Sequence, residues 1–95
     1  MARRHMVVSY DVCDDRRRAR LARFLRGYAD RVQKSVFEGE VPERRVQALR
    51  DGVCEYIDQA EDSVRFYTLC DRCQAATEIA GTGVYIEGEG DDVVI

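Results

Sequence analysis

The chain has 95 residues, 45% of them hydrophobic and 35% charged, with one proline, seven glycines, four cysteines and no tryptophan. A chain of this length buries only roughly 60–65% of the surface it exposes when unfolded, so residues 1–95 are expected to form one domain whose marginal core favours pairing with a second copy. No apolar run approaches the roughly 20 residues that cross a bilayer, and the N-terminus lacks the apolar centre of a signal peptide, so no membrane is expected as a partner and the protein is expected in the cytoplasm with reduced cysteines.

The net charge of −3 conceals a strong segregation. Residues 1–34 carry ten basic and four acidic side chains, and residues 35–95 carry five basic and fourteen acidic ones, a balance of +6 against −9. A clustered positive face on an acidic protein points to a specific polyanion site, because arginines grip phosphates while the acidic remainder limits unspecific binding. The plain alternative is a solvated helix face.

In chain order, residues 1–5 are given no part in the fold, since His5-Met6 reads as a junction ahead of a natural start at Met6. Residues 6–12, MVVSYDV, are β-branched and apolar and predict a largely buried strand. Asp14 and Asp15 then supply a helix cap and a negative first turn, and Leu21, Phe24, Leu25 and Tyr28 recur at helical spacing, which predicts an amphipathic helix over 16–28. Arg16, Arg20 and Arg23 share the face opposite that stripe, and Arg18 lies toward its edge. Residues 31–38, RVQKSVFE, read as a second strand closed by Gly39. Pro42 suits the first turn of a helix, and Val46, Leu49, Val53, Ile57 and Ala60 extend that helix over 43–59. Residues 63–70, SVRFYTLC, predict a strand, 70–75 a turn and 76–80 a short strand. Val93, Val94 and Ile95 form a strand-like end without a neighbour close in sequence.

Strands and helices thus alternate in the manner of an α+β, ferredoxin-like βαββαβ sandwich with an extra C-terminal strand. Both helices lie on one face of an antiparallel sheet in that arrangement. The free face and the terminal strand are then expected to meet a second subunit, making a homodimer with Val93, Val94 and Ile95 at its interface. The spacing Cys70-Asp-Arg-Cys73 is that of a metal or redox pair, but the remaining cysteines are unpaired at motif spacing, and packing near a turn is the simpler reading.

Tyr10-Asp11-Val12 followed by Asp14-Asp15 and the arginine helix, with RVQKSVFE after it, resembles the second CRISPR-associated adaptation protein, the small partner of the CRISPR integrase. The resemblance spans residues 6–95, down to the Leu-Cys-x-x-Cys turn, the Gly-Thr-Gly and the closing Asp-Val-Val-Ile. It implies a ferredoxin-like dimer in which Asp11 faces its symmetry mate and holds a divalent metal, Mg2+ or Mn2+, as ligand and catalytic group. It also implies nucleic-acid-binding or nuclease roles for Tyr10, Arg18, Arg20, Arg31 and Phe37, with Arg16 and Arg17 in a basic run that varies within the family.

The activity so implied is metal-dependent hydrolysis of single-stranded RNA or duplex DNA during spacer acquisition with the CRISPR integrase. A non-catalytic scaffold that bridges integrase dimers is the alternative, and a ribonuclease toxin of a toxin–antitoxin pair, which shares the small fold, is the third. Each residue keeps a plainer reading from the sequence. Asp11 can cap the helix or pair with Arg18, Tyr10 and Phe37 can be core or interface aromatics, and Arg31 can form a surface ion pair.

Overall fold

A computed structural model describes residues 2–72 and Ala76, so the strand expected over 76–80, Cys73 and the tail residues Val93, Val94 and Ile95 lie outside the described residues. The elements run β1 (Arg3–Asp11), α1 (Asp15–Leu25), β2 (Asp30–Gln33), β3 (Val36–Pro42), α2 (Glu43–Val53) and β4 (Ser63–Leu69). The sheet order is β2-β3-β1-β4 with every neighbouring pair antiparallel, which is the ferredoxin-like βαββαβ arrangement.

β1 is the central strand because its alternation satisfies both faces of the sheet. Met6, Val8 and Tyr10 are buried and point toward the helices, while Val7, Ser9 and Asp11 point to the open face. The strand begins at Arg3, so residues excluded by the sequence reading belong to it: Arg3 pairs with Pro42 and His5 with Glu40. His5 also meets Glu38 at 2.7 Å through Nε2, and Arg4 forms an ion pair with Glu43, so each of these side chains has a partner that stitches the strand start to its neighbours.

RVQKSVFE is two strands, not one. The chain reverses at Lys34 and Ser35, with a register shift between Arg31 and Gln33, and this hairpin supplies the second strand between the helices that the ferredoxin-like order requires. Gly39 allows β3 to run close beneath the chain entering β2, since a Cβ there would stand 3.1 Å from the Cα of Ala29.

α1 and α2 cover one face of the sheet, and Leu21, Leu25, Leu49 and Val53 meet Met6, Val8, Phe37 and Val41 in the core. Burial of each such side chain stabilises the fold by about 1.5–3 kcal/mol. Phe24 fits against the glycine notch of α2, where a Cβ on Gly52 would stand only 2.2 Å from its ring. α2 ends at Val53, six residues before the expected limit, because i→i+3 bonds from the Glu55 and Tyr56 N–H groups to the Gly52 and Val53 carbonyls tighten the chain out of the helix. α1 likewise stops at Leu25, after which Gly27 and Tyr28 bond back to Phe24 and Leu25. Among the described residues no helix is long and apolar enough to cross a membrane.

Candidate functional site

Asp11 is the last residue of β1, exposed, and in register with Ser63 of β4. Alternation along the strand sets it on the open face with Ser9, whose cross-strand partner is Arg65. The structural duties open to Asp11 in the sequence are filled by other side chains. Asp14 is the helix cap and accepts the Arg17 N–H at 2.9 Å, a bond that holds its carboxyl below the usual carboxylate range. Arg18 donates to the Val12 carbonyl at 2.9 Å and pairs with Asp15 rather than with Asp11. Among the described residues Asp11 has no hydrogen-bond or ion-pair partner, which leaves an uncommitted carboxylate at the rim of the sheet.

The arginine block divides into two sets. Arg16, Arg20 and Arg23 are exposed along α1, with the Arg20 guanidinium 5.8 Å from the centre of the Tyr56 ring. Arg17 turns inward instead, and its Nε and Nη2 donate to the two oxygens of Asp62 at 2.9 and 3.2 Å. The Asp62 side chain is wholly buried and also accepts the backbone N–H groups of Cys13 at 3.1 Å and Asp58 at 2.8 Å. The Arg17 guanidinium beside it, helped by these backbone donors, lowers the Asp62 carboxyl to about 2. The sequence reading placed Arg17 among nucleic-acid contacts; its guanidinium is engaged by Asp62 and Glu61. Arg31 donates to the Lys34 carbonyl at 3.0 Å and so braces the β2–β3 turn.

Tyr10 and Phe37 are core residues, 5% and 0% exposed, with ring centres 6.2 Å apart. Their burial fits the plainer reading of core aromatics, which support the sheet beneath Asp11. Burial raises the Tyr10 phenol above its ordinary value against the opposing pull of Arg31, Arg18 and Arg26, which keeps it protonated at neutral pH.

Two residues of the site escaped the sequence reading. Asp62 looked like a loop acid, and nothing local marks a carboxylate whose donors come from positions 13, 17 and 58. Arg65 was legible in principle, since strict alternation in SVRFYTL sets it on one face with Tyr67. That face carries Val7, Val36 and the 47% exposed Tyr67 beside the His5–Glu38 pair, an apolar strip with charge at both ends.

A hard divalent cation prefers oxygen ligands, keeps several waters and is held by as few as one or two carboxylates. Asp11 fits such an ion as a free hard donor. Among the described residues no group of three or more His, Cys, Asp or Glu side chains could hold a metal.

Comparison with known proteins bears on the same elements. The sequence profile of the CRISPR associated protein Cas2 family matches residues 4–77. The chain is 40% identical over 78 residues to a CRISPR-associated endoribonuclease Cas2 of Chloroflexus aurantiacus, covering 82% of this chain and 84% of that protein. It is 37% identical over 83 residues to a CRISPR-associated endonuclease Cas2 of Thermus thermophilus, covering 87% and 88%. A chain of a partial Cas6-RT-Cas1–Cas2 complex superposes with a TM-score of 0.69 at 32% identity, covering 80% of this chain and 89% of that one. The profile takes in β1 with its terminal Asp11, the arginine helix, the RVQKSVFE hairpin and β4, and with identities of this size over most of both chains, the protein is a member of the CRISPR-associated Cas2 family.

Proposed function

We propose that the chain acts as a homodimer whose open sheet faces approach one another, bringing two Asp11 carboxylates together around Mg2+ or Mn2+ to hydrolyse phosphodiester bonds in RNA or duplex DNA. The observation that carries this reading is the exposed Asp11 at the end of an inner strand, without a hydrogen-bond or ion-pair partner among the described residues. Two carboxylates facing each other repel, so such a pair calls for a cation. When bound, a divalent metal supplies an activated water and neutralises charge on the phosphoryl oxygens. The protein's own part is to hold both carboxylates on a rigid sheet. Arg16, Arg20 and Arg23, exposed on the outer side of α1, add a grip on the nucleic-acid backbone away from the open sheet face, each able to fork around a phosphate. Val93, Val94 and Ile95 are proposed to extend the interface by pairing with an edge of the partner's sheet.

The names of the relatives, an endoribonuclease and an endonuclease, support a nuclease and leave both nucleic acids open as substrate. Likeness to a chain of a complex that contains Cas1 supports a CRISPR integrase subunit as partner in the cytoplasm, and with it the second reading, a scaffold that grips DNA without cutting. The toxin reading loses its ground, because the RVQKSVFE element lies within the matched family segment.

The decisive comparison is wild type against Asp11→Asn, scored for cleavage of RNA and duplex DNA and for spacer acquisition. The nuclease reading expects cleavage to vanish in a variant that still folds and still binds nucleic acid. Wild-type cleavage by Asp11→Asn overturns it, and absence of cleavage in both proteins with acquisition intact installs the scaffold.

A further inference from the structure

We propose that Asp62, clasped by Arg17, is a positioning residue for Asp11: it fixes the turn by which the chain leaves β1 and thereby sets where the Asp11 carboxylate stands. The inference rests on the reading of Asp11 as a metal ligand. Its basis is the convergence of donors on one buried carboxylate. Oδ1 accepts the Cys13 N–H at 3.1 Å and Arg17 Nη2 at 3.2 Å, and Oδ2 accepts Arg17 Nε at 2.9 Å and the Asp58 N–H at 2.8 Å. Cys13 is two residues beyond Asp11, and Ser63, the residue after Asp62, is the register partner of Asp11. One side chain therefore ties the exit from β1, the first turn of α1 and the entry to β4.

The second tie is Arg18, whose Nη1 donates to the Val12 carbonyl at 2.9 Å. The peptide groups that follow Asp11 are thus held from both sides, by Arg18 directly and by Arg17 through Asp62. Stability alone is a weak reason for this arrangement, because a buried ion pair often adds little over well-packed apolar side chains. Direction is what it supplies, since four hydrogen bonds to one carboxylate leave the Cys13 N–H a single orientation. Asp62 makes no hydrogen bond to Asp11 itself, so its effect on a bound ion runs through the turn that carries Asp11.

The test compares wild type, Asp62→Asn and Asp11→Asn as full chains, with two readouts: Mn2+ affinity from the EPR signal of free Mn2+, and amide hydrogen exchange of β1 and the turn after it. Asp62→Asn keeps the size and one acceptor oxygen and loses the charge. It is expected to lower Mn2+ affinity below that of the wild type and to speed exchange at residues 12–14, with Met6, Val7 and Val8 unchanged. If it does not fold, Arg17→Lys, which keeps the charge but loses the two-pronged hold, is expected to show the same pair of effects. Unchanged exchange at residues 12–14, or equal acceleration across all of β1, overturns the positioning role, as does wild-type Mn2+ affinity in a folded Asp62→Asn. The two failures separate cleanly: Mn2+ binding that survives in Asp11→Asn removes the metal reading, and the local exchange pattern still decides whether the clasp shapes the turn.

Discussion

Phe37 is fully buried under the helices, so its removal is a packing event. Phe37→Ala deletes a core ring at a cost of about 3–5 kcal/mol, a large share of the stability of a small domain. A thermal melt should show that loss, and any fall in nucleic-acid binding should track the unfolded fraction and return on cooling. Weakened binding in a variant that melts like wild type would instead restore a contact role. Asp62 makes a prediction in pH. Its folded-state value of about 2 lies below the free value of 3.8, so its contribution is complete above pH 4 and is lost as pH falls toward 2. Asp62→Asn should flatten that acid limb of stability, measured by urea unfolding between pH 2 and 5; a limb of unchanged steepness would mean that other carboxyls set it. Asp11, Asp14 and Asp15 were legible from sequence because caps and strand ends are local features. Asp62 was not, since its partners are brought to it only by the fold.

At the scale of elements, the two faces of α1 have different work. Of the stripe Leu21, Phe24, Leu25 and Tyr28 that the helical period marks, Leu21 and Leu25 are buried together with Ala22, and Tyr28 lies beyond the helix end. Arg16, Arg20 and Arg23 remain outward, where they offer a sequence-independent grip. Changing the three together to glutamine should flatten the salt dependence of duplex binding by about 0.9 for each phosphate no longer neutralised, read from affinities over a salt series. An unchanged slope would mean that this face is only solvated. Arg17 and Arg18 could not be separated from their neighbours by charge counting, because the distinction lies in which way each guanidinium turns. The β2–β3 hairpin was hidden for a related reason: Lys34 and Ser35 lack the Asn-Gly or Asp-Gly signature of a tight turn, and the segment reads as continuous strand. α2 was overextended because Ile57 keeps the helical spacing although it packs from the loop beyond.

Across the molecule, α1 presents arginines on the helix layer and the open sheet face presents Asp11, Arg65 and an exposed apolar strip around Tyr67. The arginines of the helix layer suit a polyanion, and the apolar strip of the open sheet face suits the second subunit proposed above. Strand order β2-β3-β1-β4 places Asp11 at the end of an inner strand, where it stays in register with Ser63 of β4. The α+β class was legible because a small chain that mixes helices and strands in this way allows few topologies, whereas the hairpin that completes the βαββαβ order was not. The composite character proposed for the site was not legible either, because a single chain displays only its own copy of Asp11. The central claim is that two such carboxylates share one ion, and metal stoichiometry tests it most directly. Equilibrium dialysis against Mn2+ at saturating concentration should find one ion per two chains in the wild type and none in Asp11→Asn. One ion per chain, or undiminished binding in Asp11→Asn, would contradict the shared site.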